Sequence, residues 1–127
     1  MENGVISDGQ ISASSELKAA HAANKARLKA SEGTWLPLVN NADQWLQIDL
    51  LKNDTIVTRI ATQGLDDPKK KKWVTSYNLQ YSNDEINFHY YMEQAEYYRV
   101  SLYHQLSWQR KLAAVKRFKL DVSGVSP

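Results

Sequence analysis

Alternation with a period of two is the clearest pattern along the chain. In Gln44-Trp45-Leu46-Gln47-Ile48-Asp49-Leu50, the positions of Trp45, Leu46, Ile48 and Leu50 predict a half-buried strand. Residues 55–62 and 73–81 are rich in β-branched and aromatic side chains, which suit a pleated surface, and predict two more. Ser82-Asn83-Asp84-Glu85 predicts a turn, because short polar side chains hydrogen-bond their own backbone. Ile86-Asn87-Phe88-His89-Tyr90 then predicts the return strand of a hairpin. Short strands divided by turns predict an all-β fold, an antiparallel sandwich or barrel.

Two stretches break this pattern. Residues 16–29 are rich in Ala and Lys and suit either a helical turn or an irregular loop. Over residues 105–119, Leu106, Leu112, Val115 and Phe118 fit one helical face, whereas Phe118-Lys119-Leu120-Asp121-Val122 alternates like a strand. Periodicity alone does not decide between them.

The 127 residues predict one domain, and 43% hydrophobic content supplies a core of ordinary size. The absence of cysteine removes disulfides, zinc-thiolate sites and thiol nucleophiles. No run of about 18 apolar residues predicts a transmembrane segment. Met1-Glu2-Asn3-Gly4 lacks the regions of a signal peptide, so the chain is read as a fragment of a larger secreted protein or as one that does not use that route. The net charge is +2, but six basic side chains face only Asp121 from Arg99 onward. There Arg110, Lys111, Lys116, Arg117 and Lys119 interleave with Tyr97, Tyr98, Tyr103 and Trp108, as in a base-stacking platform. Strand-borne aromatics are more often core and no RNA-binding motif is present, so nucleic acid is not the expected partner.

The residues hold no catalytic constellation. His21, His89 and His104 are scattered, without metal-binding spacing, and His21 is expected to be an ordinary exposed imidazole. No nucleophile elbow or phosphate loop occurs. Asp66-Asp67 fits a solvated turn before Pro68 better than an acid–base pair. The distinctive local feature is Leu65-Asp66-Asp67-Pro68-Lys69-Lys70-Lys71-Lys72-Trp73, which lies between two predicted strands. Four consecutive ammonium groups repel one another and are stable together in water or opposite an anionic partner.

Several phrases follow one another in a recognisable order. Met1-Glu2-Asn3-Gly4 and Ile11-Ser12-Ala13-Ser14-Ser15 come first, then Ala26-Arg27-Leu28, Trp35-Leu36-Pro37 and Gln44-Trp45-Leu46-Gln47-Ile48-Asp49-Leu50. Ile60-Ala61-Thr62-Gln63-Gly64, Trp73-Val74-Thr75-Ser76-Tyr77 and Tyr81-Ser82-Asn83-Asp84 complete the set. This series resembles the discoidin family, also called coagulation factor V/VIII C-type domains, over residues 1–94. Residues 95–127 depart from it. Tyr98-Arg99-Val100 and Ser107-Trp108 look like the family's last features but follow Gln94 almost at once. The family's closing Arg and Glu fall at Val115 and Arg117, and its terminal cysteine pair is absent. The whole 1–127 therefore reads as a single discoidin-like domain with a divergent or internally deleted C-terminal third.

The resemblance implies an antiparallel β-sandwich of the jelly-roll, galactose-binding-domain-like type, incomplete at its C-terminus. It further implies a non-catalytic recognition or adhesion module, extracellular or at the cell surface. Its ligands would be cell-surface glycans or anionic phospholipids, held by loops 16–25, 36–43 and 65–73 at one end of the barrel. In the lipid version Lys18, Lys69, Lys70, Lys71 and Lys72 attract the surface while Leu17 and Leu65 insert; Leu17 is the one large apolar residue of its loop. In the glycan version Asn40, Asp66, Asp67 and Trp73 hold the sugar. Alternatives are a protein–protein module of a larger receptor or matrix protein, and a splice-altered domain without ligand. Some members bind calcium through loop carbonyls; no side-chain cluster here indicates a cofactor. Trp35 is expected in the core, Asn41 in the turn or on a sugar, and Arg27 and Asp49 in the family's internal polar framework. Asn53-Asp54-Thr55 is a glycosylation sequon, usable only in the secretory pathway.

Overall fold

In a computed structural model the described residues are 5–29, 33–52, 55–57, 60–65, 72–91, 112–115 and 117–125. They form seven strands: β1 (Ile11–Ala13), β2 (Gln44–Asp49), β3 (Thr55–Val57), β4 (Val74–Ser82), β5 (His89–Tyr90), β6 (Leu112–Val115) and β7 (Arg117–Val125). One antiparallel sheet has the order β1-β2-β7-β4-β5, and β3 pairs with β6 in a second. Ile11, Ala23, Trp35 and Leu46 are buried in one apolar cluster, with Ile6, Ala13, Ala26 and Val74 packed against it. A second group contains Val57 of β3 beside Leu79 and Tyr81 of β4, together with Leu50, Ile60 and Tyr91, and so joins the two sheets. The result is the expected all-β sandwich.

Local chemistry sets the strand limits. Strand β2 spans almost the predicted segment, with Gln44 and Leu46 buried and Trp45 half-buried between them. The pleat therefore turns Trp45 to the other face. There the Lys119 ammonium of β7 lies 5.5 Å from the Trp45 ring centroid and 5.8 Å from that of Phe88. Between residues 16 and 29 the chain forms two 3₁₀ turns, Ala19–His21 and Ala23–Lys25. Ala22 between them is extended, with ψ 161°, and this interrupts any longer helix. Strand β3 is described over Thr55–Val57, and residues 60–64 are irregular, so the predicted 55–62 strand does not reach residue 62.

The ambiguous C-terminal stretch resolves as strand over residues 112–115 and 117–119. Residues 95–111 lie outside the described residues, and with them the interleaved Tyr97, Tyr98, Tyr103, Trp108, Arg110 and Lys111. Strand β7 occupies the centre of the larger sheet, paired with β2 on one side and β4 on the other. The divergent third of the chain thus contributes the strand that joins the two halves of that sheet.

The β4–β5 hairpin turns through a carboxylate cap. Asp84 accepts the backbone N–H groups of Ile86 at 3.0 Å and Asn87 at 2.7 Å, and the Asn87 side-chain amide at 2.6 Å. Ser82, fully buried, donates its hydroxyl to Asp84 and accepts the Glu85 N–H, both at 3.0 Å. Residues 86 and 87 are taken up by this cap, so the return strand is only His89–Tyr90, shorter than predicted.

Candidate ligand-binding rim

Strand register decides where the candidate loops emerge. Gln44, the first residue of β2, lies opposite Val122 of β7, and Val122 lies opposite Tyr77 of β4. Val74, which opens β4, pairs with Val125 at the far end of β7. Ala13, which closes β1, pairs with Leu46. The exit of β1, the entry to β2 and the entry to β4 therefore share one end of the sheet. Loop 16–25 leaves from this end, loop 36–43 arrives at it, and of 65–73 the described Lys72 and Trp73 lead into β4 there.

The first two loops are bonded to each other and to the core. Leu17 N–H donates to Leu36 O at 2.9 Å, and Leu36 N–H to His21 O at 3.3 Å. The Trp35 indole N–H donates to Ser15 O at 3.0 Å, and Trp35 itself is buried, a core residue as expected. Glu16 accepts the Ala23 N–H at 2.7 Å, closing the first loop on itself. Gly33 has φ +78°, and a Cβ there would collide with the Ala20 carbonyl oxygen. The close approach of segment 33–36 to the first loop thus depends on glycine.

His21 is not the free exposed imidazole predicted from sequence. It is half-buried, and its Nδ1 lies 2.9 Å from Thr34 O. The reason is local: the 3₁₀ turn carries the ring under segment 33–36 rather than into solvent. Arg27 bonds Asp8 at 2.5 Å and Ile6 O at 2.8 Å, tying the N-terminal segment to the end of the first loop. The Arg27 guanidinium, then the Asn24 amide, hold the Asp8 carboxyl below its ordinary pKa. Asp49 accepts the Leu51 N–H at 2.8 Å, while its own carbonyl accepts from Gln10 Nε2 at 2.7 Å.

Of the predicted site residues, Leu17, Lys18 and Asn40 are exposed at this end. Leu65 and Lys72 pair as an isolated bridge, Leu65 N–H donating to Lys72 O at 2.8 Å. Both are half-buried and form the base of the third loop, so Leu65 is not an exposed tip residue. Asp66, Asp67, Lys69, Lys70 and Lys71 lie outside the described residues, as do Asn53 and Asp54 of the sequon. Trp73 is half-buried, and a Cβ on Gly64 would stand 3.1 Å from the Trp73 Cβ. Asn41 accepts the Asp43 N–H and the Gln44 amide, so it serves the turn.

Two rim residues escaped the sequence. Leu38 and Val39 are 60% and 51% exposed, beside Leu17 at 46%. The adjacent Leu38-Val39 pair was the available signal, but a short apolar run before a strand reads equally as core. Among the described residues, no group of three His, Cys, Asp or Glu side chains is placed to hold a metal ion, and no helix is long and apolar enough to cross a membrane.

The sequence matches the F5/8 type C domain over residues 10–122. It is 39% identical over 108 residues to retinoschisin of Mus musculus, covering 78% of this chain and 46% of that protein. It is 38% identical over 98 residues to the venom prothrombin activator pseutarin-C non-catalytic subunit of Pseudonaja textilis, covering 73% of this chain and 7% of that protein. The chain thus spans less than half the length of either relative. A solved chitosan-binding module 2, in complex with chitotriose, from a chitosanase/glucanase of Paenibacillus sp. IK-5 superposes with a TM-score of 0.65 at 19% identity, over 92% of this chain and 85% of that one. The match across most of the length, together with the sandwich, shows that the chain belongs to the F5/8 type C, or discoidin, domain family and is a non-catalytic binding module.

Proposed function

We propose that this module docks on an anionic phospholipid surface, outside the cell, as part of a larger protein. The observation that carries the reading is the exposure of Leu17, Leu38 and Val39 on two mutually bonded loops, at the sheet end where Lys72 and Trp73 lead into β4. Isolated exposed apolar residues are ordinary, but two leucines and a valine on one rim, next to the exposed Lys18, match the chemistry of a lipid interface. A fully buried leucine contributes about 2 kcal/mol, and each lysine near an anionic leaflet about 1 kcal/mol. Together these reach a usable affinity, whereas either alone gives weak binding.

A glycan is the second reading. It is favoured by the chitotriose-bound neighbour and by Asn40, exposed on the same rim; Asp66, Asp67 and Trp73 are its further sequence candidates. Calcium held by loop carbonyls is compatible with either reading, and binding measured with and without a chelator tests it. The discriminating experiment compares vesicles and chito-oligosaccharides as ligands for the chain and for a variant with Lys69 to Lys72 changed to Ser. Docking on lipid predicts binding that rises with phosphatidylserine, falls with salt and is largely lost in the variant. Binding competed by a chito-oligosaccharide, with little salt dependence, would instead support the glycan reading.

A further inference from the structure

We infer that Gln44 is the positioning residue that locks the two apolar rim loops into one presenting geometry, an inference that rests on the rim reading above. Gln44 opens β2 and is 6% exposed. Its Oε1 accepts the hydroxyls of Ser14 at 2.9 Å and Ser15 at 2.5 Å, and its Nε2 donates to Asn41 Oδ1 at 2.6 Å. One buried amide thus joins the exit of β1 to the loop that enters β2.

The orientation of each partner follows from proton counting. A seryl hydroxyl has one proton, and both serines give it to Gln44. Their lone pairs then face backbone donors: Ser14 Oγ accepts Trp45 N–H and Ser15 Oγ accepts Leu38 N–H, each at 3.0 Å. Asn41 Oδ1, which takes the Gln44 proton, also accepts Asp43 N–H at 3.2 Å. The chain of bonds runs from Gln44 through Ser15 to the Leu38 amide, and so fixes where Leu38 and Val39 stand relative to Leu17. The position needs an acceptor and a donor on one side chain of glutamine length. Glutamate keeps the two hydroxyl bonds but sets a carboxylate against Asn41 Oδ1. Asn41 must then turn its amide and give up Asp43. Methionine, of similar shape, removes all three bonds.

The test uses the whole chain and two readouts. In Gln44→Met, exchange of the Leu38 amide should accelerate about tenfold or more, while amides of the β4–β7 ladder change by less than about twofold. Affinity for phosphatidylserine vesicles, measured well below the melting temperature, should fall about tenfold. The added effect of Leu38→Ser should shrink in that background, because the loop no longer presents Leu38. Gln44→Glu supplies a second variant: it should protect Leu38 nearly as in the wild type while the Asp43 amide exchanges faster. An unchanged Leu38 amide, or acceleration equal to that of the β4–β7 ladder, would overturn the inference. Wild-type chain that ignores vesicles contradicts the lipid reading, whereas the exchange rates still decide whether Gln44 holds the loops.

Discussion

The indole N–H of Trp35 donates to the carbonyl oxygen of Ser15 at 3.0 Å, so a core side chain anchors the residue next to the first rim loop. Ser15 in turn holds Leu38 through its hydroxyl. Core packing and rim geometry are therefore the same set of contacts viewed from two sides.

Trp35→Phe keeps most of the buried ring but leaves the Ser15 carbonyl without its donor. The expected cost is ~2 kcal/mol, combining the unpaired acceptor with a small cavity. Urea denaturation with an unchanged slope checks it. Rim binding should weaken even under conditions where the variant is fully folded.

Gly33→Ala should cost about 2 kcal/mol or more. Its φ of +78° is unfavourable for alanine, and the new methyl group meets the Ala20 carbonyl oxygen. A lowered melting temperature, with the largest chemical-shift changes in residues 19–25 and 33–36, is the predicted signature.

Asp84 carries the pH dependence of the hairpin. The Asn87 side-chain amide, followed by the Asn87 and Ile86 backbone amides, holds its carboxyl far below the usual range. Because the folded pKa is depressed, this stabilisation is present above the ordinary carboxylate pKa and is lost as pH falls toward the folded value. The Ile86 and Asn87 amides should thus keep their folded shifts at pH 4 and lose them only in strong acid. In Asp84→Asn that acid transition should vanish, and the turn should be looser at neutral pH.

Much of the sandwich was legible in the sequence, because Leu46 to Leu50 alternate through β2, β4 is rich in β-branched and aromatic residues, and Asp84 sits within a polar turn. The segment 105–119 was not, since four apolar residues fit a helical face as well as a strand. What decides it is non-local: β7 lies between β2 and β4, and a central strand is specified by both neighbours. At the rim, the sequence singled out Leu17 and Lys18, which are exposed, but not the exposed Leu38 and Val39, because exposure is a property of the assembled loops. The Gln44 hub was equally invisible. A glutamine at a strand start looks solvated until Ser14, Ser15 and Asn41 are seen around it.

Lys119 illustrates a contact that periodicity cannot predict, since its ammonium is shared by Trp45 of β2 and Phe88 beyond the hairpin turn. Lys119→Met retains the aliphatic stem and removes the charge. The expected destabilisation is about 1–2 kcal/mol, read by urea denaturation and accompanied by a change in tryptophan fluorescence.

The most direct measurement is the affinity of the chain for phosphatidylserine vesicles with Leu38 and Val39 both changed to Ser, positions where the native side chains already face solvent. The account predicts a folded protein whose stability changes by no more than about 0.5 kcal/mol and whose vesicle affinity falls by about tenfold or more. Unchanged vesicle binding in that variant would contradict it.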